Sequence, residues 1–366
     1  MNMSQDVEGV DYDSAEGWGD YPLDAVFVRT ESRSVNEVVS RIANERYILD
    51  PDFQRDFVWT IGKQSKLIES CVMRIPLPVF YVAEAPDGRI IVVDGLQRLT
   101  TFVRFLHDQF RLSGLSRNTS TNHLLEGRSF SDLPINLQER VLDTQLTMYI
   151  LDAKAPERAR LDIFERVNSG EPLTRQQMRN ALYNGPATQW LKYAAENDNF
   201  RSATGQSLNA KTMRDREAIN RFCAFKIIGW RNYLTGDMDS FLAEGLKRLS
   251  QFPPVILEQL FSLFEQAMVI NRELFKDHAF RKSLASDFYG NRSVINISLF
   301  EVCSVVLTDY PYAELHQRAS IVKSTITDLL RNEEFVRSIT YSTNSTASVH
   351  KRFQLMESAL FQAMTL

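Results

Sequence analysis

The chain has 366 residues, 44% hydrophobic and 24% charged, with a formal net charge of −4. That length suits two subdomains and the composition is that of an ordinary globular protein. No apolar run approaches the roughly 20 residues a membrane span needs, and no basic, apolar, small-residue signal opens the chain. Cys71, Cys223 and Cys303 are three and scattered, which argues against a disulfide framework and against a zinc cluster. A cytoplasmic protein with no membrane partner is expected.

The charge is unevenly spread. Seven of the 46 acidic residues (Asp6, Glu8, Asp11, Asp13, Glu16, Asp20, Asp24) fall in residues 1–24, which hold no Lys or Arg, so the other 39 face 42 basic residues. Residues 1–24 read as a solvated, disordered arm whose deletion leaves thermal stability nearly unchanged. The sharper alternative is an acidic mimic that covers a basic groove.

Order is expected from near Val26. Ser34 and Glu37 form a capping box ahead of a helical face of Val35, Val38, Val39 and Ile42. Tyr47 to Trp59 reads as extended, with a turn at Asp50-Pro51, and a helix follows over 63–74. Residues 79–83 and 89–93 are strand candidates around a Pro86-Asp87-Gly88 turn. Asp94-Gly95 breaks the second strand, and a helix opens at once with Leu99, Phe102, Val103, Leu106 and Phe110 at helical spacing. Residues 113–129 read as loop and 146–151 as a further strand. From Pro156 onward the patterns are almost all helical, with a second capping box at Thr174 and Gln177. The expected class is α+β, a small α/β subdomain followed by a larger irregular all-helical one. The expected divisions are an acidic tail over 1–24, a first domain over 25–185 and a helical subdomain over 186–366.

The strand–turn–helix at Asp94 to Arg98 is the first candidate site. A helix N-terminus has unpaired N–H groups and a positive dipole end, which suit an anion. Gly95 permits a tight turn and close approach of a ligand. Arg98 brings a planar donor fork suited to phosphate. Gln97 adds a donor and an acceptor, Thr100 and Thr101 add hydroxyls, and Asp94 suits a metal or a nucleophilic water. The bland alternative makes Asp94 an N-cap and Arg98 a surface residue, since Asp-Gly after a strand is a common turn.

The run Ile90-Ile91-Val92-Val93-Asp94-Gly95-Leu96-Gln97-Arg98-Leu99-Thr100-Thr101 resembles the signature of the GmrSD restriction endonuclease N-terminal domain family. Its usual motif is Asp-Gly-Gln-Gln-Arg; this chain has Leu96 in place of the first Gln. Pro51 to Arg55 with Val58-Trp59 resembles the family's upstream motif. Phe164 to Gly170 with Leu173 and Met178-Arg179-Asn180 resembles its downstream motif, and Arg214-Asp215 with Arg221-Phe222 resembles a helical element of these proteins. The resemblance implies a ParB- and sulfiredoxin-like fold over the first domain and a nucleotide pocket. In that pocket Arg98 and Gly95 hold phosphate and Gln54 and Arg55 line the wall. It also implies a role in antiphage restriction, with nucleotide hydrolysis coupled to action on DNA.

Arg166, Asn168, Arg175, Arg179 and Asn180 gather polar donors around the turn at Asn168-Ser169-Gly170. From pattern alone this is a helix end with Gly170 as a left-handed cap. With the family resemblance, Asn168 becomes a wall of the same pocket, with Glu165 as a carboxylate partner for the arginines. Asp143 with Asp152-Ala153-Lys154 loosely matches an acid…acid-x-Lys nuclease pattern. The five histidines show no metal-ligand spacing.

These observations point to a nucleoside triphosphate, base unknown, with or without Mg²⁺. Asp94, Gln97 and Arg98 carry the chemistry, and Gln54, Arg55, Gly95, Thr100 and Asn168 the binding. The metal ligands are unknown. The reading is a nucleoside-triphosphatase component of a restriction system acting on DNA with a nuclease partner protein. The alternatives are a non-catalytic DNA-binding or nuclease-restraining module and, more weakly, a stand-alone endonuclease.

Overall fold

The computed structural model describes residues 7–9, 28–49, 59–85, 87–115, 123–167, 174–285 and 291–365. These residues fall into two compact units. One lies within Asp20–Leu173, the other within Met1–Gly19 and Thr174–Leu366. In chain order a short strand β1 (Val7–Glu8) precedes β2 (Val28–Ser34), α1 (Val35–Ala43), β3 (Tyr47–Ile48), α2 (Ile61–Val72), β4 (Phe80–Glu84), β5 (Ile90–Asp94), α3 (Leu96–Leu106), α4 (Ile135–Leu142), β6 (Gln145–Leu151) and α5 (Glu157–Val167).

The α/β unit is built on a five-stranded sheet of order β2-β6-β4-β5-β3. β4 and β5 form an antiparallel hairpin, β6 lies parallel to β4, and β2 closes one edge antiparallel to β6. The Ser34 hydroxyl accepts the N–H of Glu37 (3.2 Å) and starts α1. Val35, Val38, Ile68, Leu99, Phe102 and Phe105 from α1 to α3 then meet Phe80, Val82, Val92 and Met148 of the sheet in one apolar core. In α3 the face drawn inward is Leu99, Phe102 and Phe105, while Val103 and Leu106 are half-buried. The expected stripe was thus turned by part of a residue step. β2 and α4 had no expectation. α4 buries only Leu137 and Val141, an i, i+4 pair too sparse to stand out among its polar neighbours. The expected turn at Asp50-Pro51 lies outside the described residues.

The helical unit runs through α6 (Arg175–Leu182), α7 (Pro186–Ala195), α8 (Asp198–Thr204), α9 (Arg214–Ile228), α10 (Met238–Ser250) and α11 (Pro254–Phe275). A strand β7 (Ile295–Asn296) then leads into α12 (Ile297–Val306), α13 (Tyr312–Gln317), α14 (Ala319–Leu329), α15 (Glu333–Ser338) and α16 (Thr346–Thr365). Its core is aromatic, with Phe222, Phe225, Phe264, Phe300 and Phe353 among the buried residues. Three arginines inside it are engaged by the fold. Arg221 and Arg352 share Glu301. Arg281 donates to the backbone carbonyls of Asp277, Thr204 and Ser293 and to the Ser207 hydroxyl.

The compact units divide between Leu173 and Thr174, and α6 falls in the helical one, where Arg175 and Arg179 pair with Asp239 of α10. The structure departs from the sequence expectations in one place here, the acidic arm. Val7 and Glu8 of the supposed disordered arm form a strand. Val7 and Glu8 pair in parallel with Ile295 and Asn296, and Val7 is buried in the helical unit, which therefore holds a two-strand ladder. An acidic stretch this short has no periodicity to betray it; its partner lies nearly three hundred positions away.

Candidate functional site

β5 ends in Asp94 and passes into Gly95, which sits at φ 110°, ψ 4° in the N-cap position of α3. A Cβ on Gly95 would overlap the Phe80 ring, so glycine is required both by the dihedral and by space. Gly95 has no side chain with which to cap α3. The first bond of the helix runs from the Leu99 N–H to the Gly95 carbonyl (2.9 Å). The N–H groups of Leu96, Gln97 and Arg98 precede it, where no intrahelical carbonyl can reach. Asp94 is not the N-cap that the bland reading made it.

Arg98 is where the structure corrects the sequence most sharply. It is neither a surface residue nor a solvent-facing phosphate ligand: it is 8% exposed. Nη1 donates to the Pro78 carbonyl, and Nη2 donates to the Val79 carbonyl (3.0 Å) and to Asp94 Oδ2 (3.0 Å). The guanidinium lies 4.1 Å from the centroid of the Phe80 ring. Burial pulls its pKa below the ordinary arginine value, and the Asp94 carboxylate opposes that in part. Arg98 thereby staples the segment before β4 to the turn after β5. Asp94, held on one oxygen, keeps 40% of its side chain exposed.

Gln97 is half-buried, and its Oε1 accepts the backbone N–H of Trp59 (3.3 Å). The Trp59 carbonyl accepts from Gln64 Nε2 (2.8 Å), whose Oε1 takes a bond from Arg104 (3.1 Å). The Lys63 ammonium lies 4.7 Å from the Trp59 ring centroid. The first turn of α3 is thus coupled to the start of α2. Thr101 is buried and donates back to the Gln97 carbonyl (2.7 Å), whereas Thr100 is half-buried. So Asp94, Gly95, Gln97, Arg98 and Thr100 share one strand end and one helix start. Gln54, Arg55 and Asn168 lie outside the described residues. Phe80, Gln64 and Lys63 were missed from the sequence. Only the Gly95 requirement hinted at Phe80, since a glycine at a strand–helix junction often marks a close neighbour.

The downstream donors go elsewhere. Arg175 (2.6 Å) and Arg179 both donate to Asp239, and Gln176 bonds Asn180, all inside the helical unit. Burial alone would raise the Asp239 pKa; the two guanidiniums outweigh it and hold the carboxyl below its ordinary range. Asp239 is therefore a carboxylate partner of both arginines. The nuclease pattern is also dispersed. Asp143 precedes β6 and Asp152 follows it, which at about 3.3 Å per residue puts them at opposite ends of the strand. Asp152 instead accepts the Lys154 N–H (2.7 Å) in a local turn. Among the described residues no group of three or more His, Cys, Asp or Glu is arranged to hold a metal ion, and no helix is long and apolar enough to cross a membrane.

The Asp94 turn, its flanking strand and helix, and the motif around Met178 all fall within residues 35–184. That stretch matches the family described as GmrSD restriction endonuclease, N-terminal domain. Residues 35–184 belong to this family. The GmrSD N-terminal domain so defined contains the sheet from β3 to β6 and runs on through α6 into the helical unit. It assigns the segment to a component of a restriction endonuclease system. No curated protein matches the chain.

Proposed function

We propose that the β5–α3 turn of the GmrSD N-terminal domain binds the phosphates of a nucleoside triphosphate. On this reading the protein is a nucleotide-dependent component of a bacterial antiphage restriction system that acts on DNA with a nuclease partner. One observation carries the reading: α3 starts at a left-handed glycine with no side-chain cap. The positive end of the α3 dipole lies at this turn, and a helix N-terminus suits an anion. Arg98 serves the site from behind, holding Asp94 and the turn in place, and its charge contributes to the field without a direct contact. Asp94, with its exposed share, is the group that fits Mg²⁺ or a hydrolytic water; a Mg²⁺ there would neutralise phosphate charge. A ParB-like arrangement of the pocket belongs to this proposal.

The engagement of Arg98 favours a second reading, a module that binds nucleotide or DNA without turnover. A guanidinium fixed on two carbonyls and a carboxylate is unsuited to following charge onto a leaving phosphate. Titration with each of the four nucleoside triphosphates in Mg²⁺, with phosphate release measured on the same samples, separates the two. We expect one triphosphate to bind and be hydrolysed, and Asp94→Asn to retain binding while losing hydrolysis at least tenfold. Binding without release by the wild type favours the module. No binding of any triphosphate refutes the site.

A further inference from the structure

The groove that receives β1 holds Asn296 in place without it. The Asn296 N–H donates to the Phe280 carbonyl (2.9 Å), its Nδ2 donates to the Ile339 carbonyl (2.8 Å), and its Oδ1 accepts the Leu299 N–H (2.8 Å). None of these three bonds involves β1, so Asn296 is anchored independently of it. What β1 adds is specific at three successive positions. Val7 places an apolar side chain in the core. Glu8 meets Lys282 at 3.0 Å. Gly9, at φ 74°, lies so close to the Asn296 side chain that a Cβ would overlap it, and its carbonyl accepts the Ser298 hydroxyl (2.6 Å).

These contacts are few against the cost of ordering three residues. The ladder has two residue pairs, the ion pair is partly exposed, and Glu8 Oε1 is buried with no hydrogen-bond partner. Such a segment opens locally, well below the free energy of global unfolding.

We propose that this groove is a peptide-docking site occupied in cis by Val7-Glu8-Gly9, and that the N-terminal segment is a releasable strap. The groove reads an extended strand, parallel to β7, of the form apolar–acidic–glycine: the core takes the first side chain, Lys282 the second, and Asn296 enforces the third. The occupant is the chain's own N-terminus because its attachment to the same chain gives it an effective concentration on the order of millimolar. An acidic segment of a partner, joining by strand addition, must compete with that.

The test uses a fluorescent peptide spanning residues 4–15, titrated into the full chain and into a variant lacking residues 1–9. Saturable binding by the deletion variant is expected, with at least tenfold weaker apparent binding by the full chain and at least tenfold loss when the peptide carries Gly9→Ala. A folded deletion variant that ignores the peptide overturns the proposal, as does equal binding by the full chain or by the Gly9→Ala peptide. If the deletion variant does not fold, hydrogen exchange on the full chain decides. Exchange at Glu8 and Gly9 faster than in α12 supports a strap, and exchange only through global unfolding refutes it.

Discussion

Glu301→Ala is expected to leave the helical unit unfolded or nearly so. Glu301 sits in α12 with no exposed surface. Its Oε1 binds Arg352 through Nε (2.7 Å) and Nη2, and its Oε2 binds Arg221 through Nη1 (3.0 Å). Both arginines are themselves buried, and Arg352 also donates to the Ser338 and Thr343 carbonyls. Removing the carboxylate takes the shared ion-pair partner from both guanidiniums, leaving Arg352 on its two carbonyls and Arg221 on Glu217 (3.7 Å) and Asn344 (3.4 Å). Breaking a single buried pair costs about 3–5 kcal/mol, and here two are broken, against a typical total stability of about 5–15 kcal/mol. Glu301→Gln keeps the shape and one acceptor and should fall between. Melting curves on the three proteins check this; a midpoint for Glu301→Ala within about 2 °C of the wild type would show the triad to be dispensable.

Arg98→Ala should carry the second-largest cost, in the α/β unit. The substitution removes the donors from the Pro78 and Val79 carbonyls, the partner of Asp94 and the packing against Phe80. Hydrogen bonds to charged groups contribute about 1.5–3 kcal/mol each in mutational series. The exposed share of Asp94 lets water replace one of them, so a loss of about 2–4 kcal/mol is expected. Arg98→Lys should recover less than half, because one ammonium cannot serve acceptors spread across a planar fork. Urea unfolding of the three proteins measures it. A loss below about 0.5 kcal/mol for Arg98→Ala would place Arg98 back among ordinary surface residues.

How much was legible follows from the range of the interaction involved. The Ser34 and Thr174 caps, the β4–β5 hairpin and the opening of α3 at Gly95 are set within a few residues, so spacing alone revealed them. Arg98 was misread because its carbonyl acceptors lie twenty residues back, in a proline-punctuated segment whose path no local pattern predicts. Arg179 was misread for the same reason, with Asp239 sixty residues ahead. Val7 is the extreme case, since a two-residue strand has meaning only once its groove exists. Gly95 was recognisable as the strand–helix junction because its dihedral has a backbone reason that requires no partner.

The central proposal, that the first turn of α3 holds phosphate, is tested most directly by Gln97→Glu. The substitution is nearly isosteric and keeps the oxygen that accepts the Trp59 N–H. A carboxylate in the first turn complements the dipole and should leave the helix as stable or slightly more so, yet it places a negative charge where phosphate would sit. Calorimetric titration with the triphosphate that binds the wild type, and with inorganic tripolyphosphate, should be paired with melting curves on the same samples. The account predicts at least tenfold weaker binding of both ligands by Gln97→Glu, with an unchanged or higher melting midpoint. Equal affinity in a folded Gln97→Glu protein would contradict it.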